Sequence, residues 1–415
     1  MSPDTDLGAR YLTALVVARA TSSAGFFAVV PFLGLWLVDD KGLSGSAAGL
    51  VVGGAILANR AGGVILVPLI HAVGQKTSIA AGYVGAALAF GTLGMGLGLP
   101  AYGWAALAAL AGLALAMATT AMKAQISALP PDQRLRCFGY LSMAVNAGAA
   151  AGPFLGGLIL EWRADALPLT AAILYVVALV AVPALPGAWR EPARARRSEK
   201  ARLLPERPFV VFALLVCGTW IAYAQLFTVL PAYVDGVIGT GDLGLVFTVN
   251  AVLVLALQIP ASALARKVLA RPRGGFGTLC LAANVLLAGA AALCAFGRSV
   301  GLGAVVAAII VFTLSEVIWG PLYDSEVGGR RGRLSSTAAY AVSGLVWGAA
   351  ESAGAWVGMI LAVRHGGDEE LFSGLAAMPF WGAAALALCT GLALSWNGQD
   401  RSDGGALQRA GKGYS

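Results

Sequence analysis

The sequence predicts an all-α polytopic membrane protein whose twelve transmembrane helices form two six-helix, pseudo-symmetric bundles. Of the 415 residues, 58% are hydrophobic and only 12% are charged, whereas soluble domains carry about 25% charged residues. About a dozen stretches have the roughly 20 apolar residues that an α-helix needs to cross a bilayer. One long polar segment, 188–208, divides these stretches six and six.

The polar segments between the apolar runs define the expected domains. We expect a six-helix bundle over 1–187, a basic linker over 188–208, a second bundle over 209–396 and a disordered tail over 397–415. The basic linker is interpreted either as a solvated cytoplasmic segment or as a docking site for anionic lipid or a partner. The predicted spans are 12–38, 46–70, 77–99, 103–122, 138–160, 168–187, 209–234, 242–264, 275–296, 301–322, 335–362 and 375–396.

Lys and Arg residues are distributed unequally between the two sets of loops. Of the 28 such residues, 22 lie in the termini, the linker and the loops on the same side, and four lie in the opposite loops. Because cytoplasmic loops carry the excess of Lys and Arg, both termini are predicted to be cytoplasmic. The net charge of +7 therefore reflects membrane topology and not nucleic-acid binding.

The sequence gives no indication of an enzyme, a metal site or a cofactor. The five cysteines lie in or beside apolar runs and have no CxxC spacing, so neither a disulfide framework nor a metal site is predicted. There is no G-x4-GK[ST] phosphate-binding loop and no GxSxG nucleophile motif. We therefore expect no enzymatic activity, no cofactor and no use of ATP.

The fifth predicted span carries the most informative pattern. Residues 139–157 read GYLSMAVNAGAAAGPFLGG. Gly148, Gly152 and Gly156 are four apart, so on a helix they share one face without side chains, which another helix can approach closely. Pro153 lacks a backbone donor and predicts a bend.

This pattern also resembles a known family signature. Six positions are involved: Gly139, Gly148, Gly152, Pro153, Gly156 and Gly157. Their spacing is similar to the fifth-helix antiporter signature of the major facilitator superfamily, in its 12-span drug:proton antiporter branch. The alternative interpretation is an ordinary glycine-rich packing helix in another polytopic protein.

The resemblance implies a secondary active transporter that works by alternating access. It implies proton-coupled export of a small, drug-like organic molecule by a monomer in a bacterial cytoplasmic membrane, with protons and the lipid bilayer as the other partners. Two alternatives remain open. The chain could be a proton-coupled importer of a sugar or other metabolite, or a non-transporting membrane sensor or assembly partner.

Two departures from the family pattern affect the expected mechanism. In the loop between spans two and three, Gly74 and Lys76 fit the family's gate motif, but His71 replaces its acid. The resemblance therefore implies a weaker or differently built latch, and His71 is either a pH-sensitive element or a tolerated interfacial residue. In span four, Ala108 stands where related antiporters often carry a proton-relay Arg.

Four ionisable residues fall well inside the predicted spans: Arg19, Arg60, Glu316 and Glu351. A charge at mid-bilayer costs at least about 2.5–3.5 kcal/mol on insertion scales, so each needs a partner, a wet cavity or a function. The resemblance implies that spans two and eleven meet between the bundles, and we predict that Arg60 pairs there with Glu351 and that protonation of Glu351 releases Arg60. The alternatives are a static ion pair and an Arg60 satisfied by Asn59 and backbone carbonyls. Glu316 is interpreted as a proton or cation site or as a helix tie, and Arg19 as a coupling residue or a snorkelling side chain.

A substrate cavity would need polar and aromatic groups on the helices that line it. Each of these residues could equally connect two helices by hydrogen bonds. The candidates are Ser22, Ser23, Phe26, Asn59, Trp220, Tyr223, Gln225 and Trp319.

Overall fold

The computed structural model describes residues 9–185, 205–230, 240–271, 274–296, 300–363 and 377–411. These residues form twelve α-helices, one at each predicted span, and no β-strand. The first six are α1 (Ala9–Asp39), α2 (Gly45–Val73), α3 (Gln75–Leu93), α4 (Ala101–Ser127), α5 (Pro131–Trp162) and α6 (Ala166–Ala181). The last six are α7 (Arg207–Ala224), α8 (Thr240–Leu269), α9 (Gly275–Ala295), α10 (Leu302–Arg330), α11 (Ser336–Val363) and α12 (Met378–Gly411).

Most of these helices have the length and hydropathy of membrane spans. Ten stretches of the described residues qualify. Nine lie within one of the twelve helices, and Ala166–Ala184 comprises α6 and the 3-10 turn Val182–Ala184 that follows it. The other two helices, α3 and α11, coincide with the predicted third and eleventh spans. The predicted all-α, polytopic membrane fold is therefore confirmed.

The end of the chain differs from the expectation of a disordered tail. Helix α12 continues past Trp396 as far as Gly411. Extending a helix that has already formed costs much less than starting one, and this explains how a polar, glycine-containing sequence continues it. Most of the predicted basic linker, residues 188–204, lies outside the described residues.

The chain divides into two compact units. The first comprises Met1–Glu206 with Asp324–Gly348, and the second comprises Arg207–Tyr323 with Ala349–Ser415. The boundary at Glu206 lies inside the predicted linker. The grouping of 324–348 with the first unit differs from the predicted division into consecutive halves, because this segment makes ion-pair and aromatic contacts with α2, α4 and α5.

The glycine face predicted on α5 packs against α1. A Cβ atom added at Gly148 would lie 2.5 Å from Ser23 Cβ, and one at Gly152 would lie 2.7 Å from Phe27 Cβ. At Gly156 it would collide with the carbonyl oxygen of Ala28. The predicted close helix approach is therefore confirmed, and its partner is α1. Gly139 is buried, and Pro153 lies inside the helix.

The second unit contains a similar contact between α11 and α7. A Cβ added at Gly354 would lie 2.8 Å from the carbonyl oxygen of Ile221, and one at Gly358 would collide with Gln225 Oε1. Gln225 Nε2 donates to the carbonyl oxygens of Ile221 (3.0 Å) and Gly354 (2.9 Å). At this residue α7 widens into a π-helical turn, Gln225–Val229. Spans eleven and seven thus pack as spans five and one do.

An ion pair fixes the loop at the start of α6. Lys41 Nζ donates to Asp165 Oδ1 and lies 4.9 Å from the centre of the Trp36 ring. The hydrogen bond from Lys41 holds the pKa of Asp165 below its usual range. The pair connects the loop after α1 to the loop after α5.

We predict opposite effects of alanine at two adjacent glycines of α5. Gly156→Ala should lower the free energy of unfolding by about 1–3 kcal/mol, because the new methyl group must push α1 away. Gly157 has no neighbour within 4 Å of an added Cβ, so Gly157→Ala should be neutral or stabilising through its higher helix propensity. Thermal and SDS unfolding of the purified protein in detergent measures both. Equal losses of stability would contradict the assigned packing face.

The stabilising effect of the Lys41–Asp165 pair should depend on pH. Since the folded state lowers the pKa of Asp165 from about 3.9, the contribution is complete above that value and is lost as pH falls through the lower folded-state pKa. Asp165→Asn should cost less than about 1 kcal/mol at pH 7, because the carboxylate is 48% exposed. The free energies of unfolding of wild type and Asp165→Asn should become equal in acid. Asp40→Asn is the control. A difference between wild type and Asp165→Asn that persists at pH 2 would contradict the assignment.

Candidate functional site

A buried polar group surrounds Glu316 in the second unit. Glu316 lies on α10 and is 9% exposed. Asn250, from α8, donates from Nδ2 to Glu316 Oε2 (3.0 Å) and to Thr313 Oγ1 (2.9 Å). The Thr313 hydroxyl donates to the carbonyl oxygen of Ile309 at 2.7 Å, which leaves its oxygen free to accept from Asn250. The network holds a carboxyl group inside the helical bundle with a neutral amide as its hydrogen-bond donor.

Aromatic rings from α7 and α10 form a cluster close to this carboxyl group. The Trp220 ring lies 5.5 Å from Tyr223, 6.1 Å from Trp319 and 5.1 Å from Tyr323. Tyr223 also contacts Phe312 at 4.7 Å. Trp319 follows Glu316 by about one helical turn, so the Trp319 ring and the carboxyl group are neighbours on α10. We call Trp220, Tyr223, Trp319 and Tyr323 the Trp220 cluster.

The other predicted cavity residues have more varied surroundings. Gln225 is buried and connects α7 to α11, while Ser23 lies at the α1–α5 contact. The Ser22 hydroxyl donates to the carbonyl oxygen of Arg19 (3.1 Å). Phe26 contacts the adjacent ring of Phe27. Asn59 is partly buried on α2. Within the second unit the structure thus brings Trp220, Tyr223 and Trp319 together. Four of the other candidates belong to the first unit: Ser22, Ser23, Phe26 and Asn59.

A second charged cluster lies within the first unit, around Trp347 of α11. The Arg60 guanidinium lies 4.4 Å from the Trp347 ring centre, and Lys123 Nζ lies 5.5 Å from it. Lys123 also pairs with Asp324 at 2.8 Å, and both side chains are about 15% exposed. Tyr340 donates its hydroxyl to the Asp324 carbonyl oxygen (2.6 Å). We call Arg60, Lys123, Asp324 and Trp347 the Trp347 cluster.

The glycines of α11 bring the Trp347 cluster close to α2. A Cβ at Gly348 would lie 2.9 Å from Arg60 Cβ, and one at Gly344 would lie 3.3 Å from the Arg60 carbonyl oxygen. Arg60 belongs to the first unit and Glu351 to the second, so their predicted ion pair stays a prediction.

The predicted gate loop joins α2 to α3 through a single residue. Gly74 has φ 87°, which favours glycine. Lys76 Nζ donates to the carbonyl oxygens of Pro183 (2.8 Å) and Leu185 (2.7 Å), and so attaches the start of α3 to the segment that follows α6. His71 is exposed near the end of α2. Lys76 therefore has a structural contact that its position in the motif did not predict.

Sequence reasoning missed three members of the Trp347 cluster. In the sequence Lys123 is one of the 22 basic residues that indicate topology, and neither Asp324 nor Trp347 carries a predicted role. Lys123 and Asp324 are 201 residues apart in the chain. The sequence signal that could have indicated the pair is an acidic residue just beyond one predicted span and a lysine just beyond another.

Comparison with known proteins gives concordant matches. Residues 15–323 match the family model described as Major Facilitator Superfamily. A relative named Multidrug resistance protein MdtH, from Shigella dysenteriae serotype 1, is 27% identical over 242 residues, which cover 57% of this chain and 59% of the relative. MdtH from Salmonella paratyphi B is 26% identical over 246 residues with the same coverage. The chain thus spans 59% of the length of these curated relatives.

Solved structures of transporters share the fold at low sequence identity. The human organic anion transporter MFSD10 (TETRAN) superposes with a TM-score of 0.71 at 15% identity, covering 93% of this chain and 99% of its own. The proton:xylose symporter XylE gives 0.69 at 13% identity, with 92% and 94% covered. A bacterial homologue of the iron transporter ferroportin, in an outward-facing state, gives 0.66 at 15%, with 93% and 99% covered.

We predict that the Lys123–Asp324 pair stabilises the first unit. Lys123→Asp should lower the free energy of unfolding by about 1.5–3 kcal/mol, because a charged hydrogen bond is lost and two carboxylates are brought together. Adding Asp324→Lys should restore part of this loss. Thermal unfolding in detergent measures each variant, and Lys267→Asp, at an exposed position near the end of α8, is the control. If the double variant loses as much stability as the two single variants lose in sum, the direct pairing is contradicted.

Proposed function

The chain belongs to the major facilitator superfamily, and we propose that it is a secondary transporter that exports a small, drug-like organic molecule in exchange for protons. Membership confirms the family predicted from the fifth-span motif. It also confirms the assignment to transporters and not to enzymes. The proposed export activity has further support from the two MdtH relatives, whose name describes multidrug resistance.

The observation that carries the proposal is the buried carboxyl group of Glu316. Ionisable residues inside membrane spans are costly and commonly mark ion pathways and proton relays. Glu316 has an amide donor, Asn250, so it can accept hydrogen bonds when ionised and donate one when protonated. A carboxyl group that can exist in both forms at one site is suited to carry a proton.

The Trp220 cluster supplies the surface that a drug-like molecule requires. Small-molecule sites are lined mainly by apolar and aromatic side chains, with few polar groups that fix orientation. Ring faces attract organic cations, and ring edges and faces pack against aromatic ligands. Glu316, one turn from Trp319, would add a negative charge on the same helix. We infer that this part of the second unit contacts the transported molecule.

The remaining features of the proposal follow the charge distribution and the family. We propose that both termini are cytoplasmic, that the membrane is a bacterial inner membrane, that the chain acts as a monomer and that Arg60 pairs with Glu351 in one state of the cycle. On this topology the Trp347 cluster extends from the cytoplasmic ends of α4 and α10, at Lys123 and Asp324, to the middle of α2 and α11, at Arg60 and Trp347. The cluster would latch the cytoplasmic gate. In the family an acidic residue of the gate motif contributes to this role, and here His71 occupies its position.

Dye accumulation in cells tests the proposal directly. Wild-type cells should accumulate less of a lipophilic cationic dye such as ethidium than cells without the protein, and a protonophore should abolish the difference. Glu316→Gln should lower the initial rate of protonophore-sensitive export at least about tenfold, equivalent to 1.4 kcal/mol, because its amide cannot carry the proton. Retention of that export in Glu316→Gln would contradict the assigned role.

Two further variants separate the alternatives. Glu326→Gln changes a carboxylate on the same helix that pairs with Arg330 (2.7 Å), and it should leave export unchanged. Glu351→Gln should impair coupling if the Arg60–Glu351 pair operates. Greater dye accumulation in wild-type cells than in cells without the protein would reverse the transport direction and favour an importer.

A further inference from the structure

A groove lies on the surface of the first unit between α1 and α6. The two helices are in contact at Gly25, where an added Cβ atom would lie 3.3 Å from Tyr175 Cζ. Toward the beginning of α1 and the end of α6, the space between them forms a groove of about 470 Å³. This volume falls within the range of small-molecule sites, so the groove can hold a substantial part of a ligand.

Each helix contributes one face to the groove. Arg10, Thr13 and Val17 of α1 line one side of it. Val177 and Val180 of α6, with Ala184 from the 3-10 turn that follows, line the other. Both sets have the spacing of three and four residues that places side chains on a single face of a helix. The walls are apolar and open to the surroundings, since Val180 is 76% exposed.

The groove begins at one edge of the membrane and extends inward. One candidate span starts at Arg10 and another ends at Ala184, which are the outermost residues of the two groove faces. Val17 and Val177 each lie seven residues further into their spans, or about 10 Å along the helix. One leaflet of the hydrocarbon core is about 15 Å thick. The groove therefore follows most of the path that an acyl chain takes from the headgroup toward the middle of the bilayer.

Arg10 places a positive charge at the outer end of this apolar groove. It is the one charged side chain among the described residues that line the groove. Its side chain is exposed, and among the described residues no carboxylate pairs with it. Arg19, further along α1, instead donates to Thr119 Oγ1 on α4 at 3.2 Å. A guanidinium stays protonated in proteins and matches the geometry of a phosphate group, so Arg10 is suited to bind a headgroup at the membrane edge.

A second cation lies at the same end of the groove. Lys76 Nζ donates to the carbonyl oxygens of Pro183 and Leu185, the two residues that flank Ala184. An ammonium group has three N–H donors, so one remains for a further acceptor. Basic sites between transmembrane helices attract the headgroups of anionic lipids. Lys76 thus fixes the backbone around Ala184 and adds positive charge beside it.

We propose that the groove between α1 and α6 binds one anionic phospholipid, with an acyl chain along Val17, Val177 and Val180 and the phosphate at Arg10. The apolar walls match the chain, and the cation at the membrane edge matches the headgroup. A soluble anion would contact Arg10 but would gain nothing from the walls. On the proposed topology the lipid belongs to the cytoplasmic leaflet. The binding does not depend on the proposed transport activity.

Lipid binding to the purified, full-length protein in detergent tests the proposal. Native mass spectrometry measures the retained lipid, and thermal unfolding measures the Tm. Dioleoylphosphatidylglycerol should bind more tightly and raise the Tm more than dioleoylphosphatidylcholine, whose choline group cancels the charge of its phosphate. Arg10→Gln should weaken phosphatidylglycerol binding about fivefold, the effect of one cation near an anionic lipid surface. Arg10→Lys should keep most of the binding.

A matched variant distinguishes this site from general attraction to a basic protein. Arg271→Gln removes an exposed arginine that follows α8 in the second unit, and it should bind phosphatidylglycerol as wild type does. Equal weakening in Arg10→Gln and Arg271→Gln would overturn the proposal. Equal binding of the two lipids by wild type would also overturn it, because the headgroup would then make no contact with Arg10.

Two further measurements test the acyl chain. Val180→Trp fills the groove with a larger side chain and should weaken the binding of both lipids, whereas unchanged binding would overturn the proposed position of the chain. Glycerol 3-phosphate, a soluble phosphate ester, should raise the Tm much less than phosphatidylglycerol at the same concentration. An equal rise would overturn the proposal in favour of a site for soluble phosphate esters. The exposed Arg10 variants keep the test decisive if Val180→Trp does not fold.

Discussion

The close approach of helices across glycine faces is the constraint on which both units depend. Two apolar helices in a membrane gain little free energy by burying their surfaces against each other, so packing contacts and hydrogen bonds must provide the attraction. In the first unit, Gly152 and Gly156 bring α5 against the backbone of α1; in the second, Gly354 and Gly358 bring α11 against α7. In the second contact the Gln225 amide reaches a main-chain carbonyl of α11. The same type of helix contact across glycine faces thus occurs in both units, although their sequences differ.

The partners of the charged side chains distinguish structural positions from functional ones. Lys123 has a carboxylate partner and an indole ring, and Lys41 has a carboxylate and an indole as well. These are complete arrangements that hold helices or loops together. Glu316 instead accepts a hydrogen bond from the Asn250 amide, and Arg19 donates one to the Thr119 hydroxyl. An ionisable group inside a membrane span is expensive, which is the physical reason for placing the proposed proton chemistry at Glu316.

The sequence allowed the helices and the α5 glycine face to be predicted because both depend on local periodicity. Twenty apolar residues specify a span without knowledge of its neighbours, and a spacing of four specifies a face. The Trp347 cluster could not be predicted in this way, because Lys123 and Asp324 meet only after four helices have packed. Lys76 shows the same limit: its place in the gate motif was recognised, but its carbonyl partners beyond α6 depend on tertiary structure. The meeting of Trp220 and Tyr223 with Trp319 in the second unit was not predictable either, since helical spacing says nothing about which helices are adjacent.

The π-helical turn Gln225–Val229 of α7 also affects how related sequences should be aligned. Such a turn accommodates one residue more than the α-helix around it. A relative whose seventh helix is α-helical throughout would be one residue shorter at this point. A single-residue gap opposite 225–229 would then mark the loss of a widened turn inside a membrane helix. Alignment conventions favour placing such a gap in the nearest loop. Every residue between the turn and that loop would then be aligned one position away from its true equivalent.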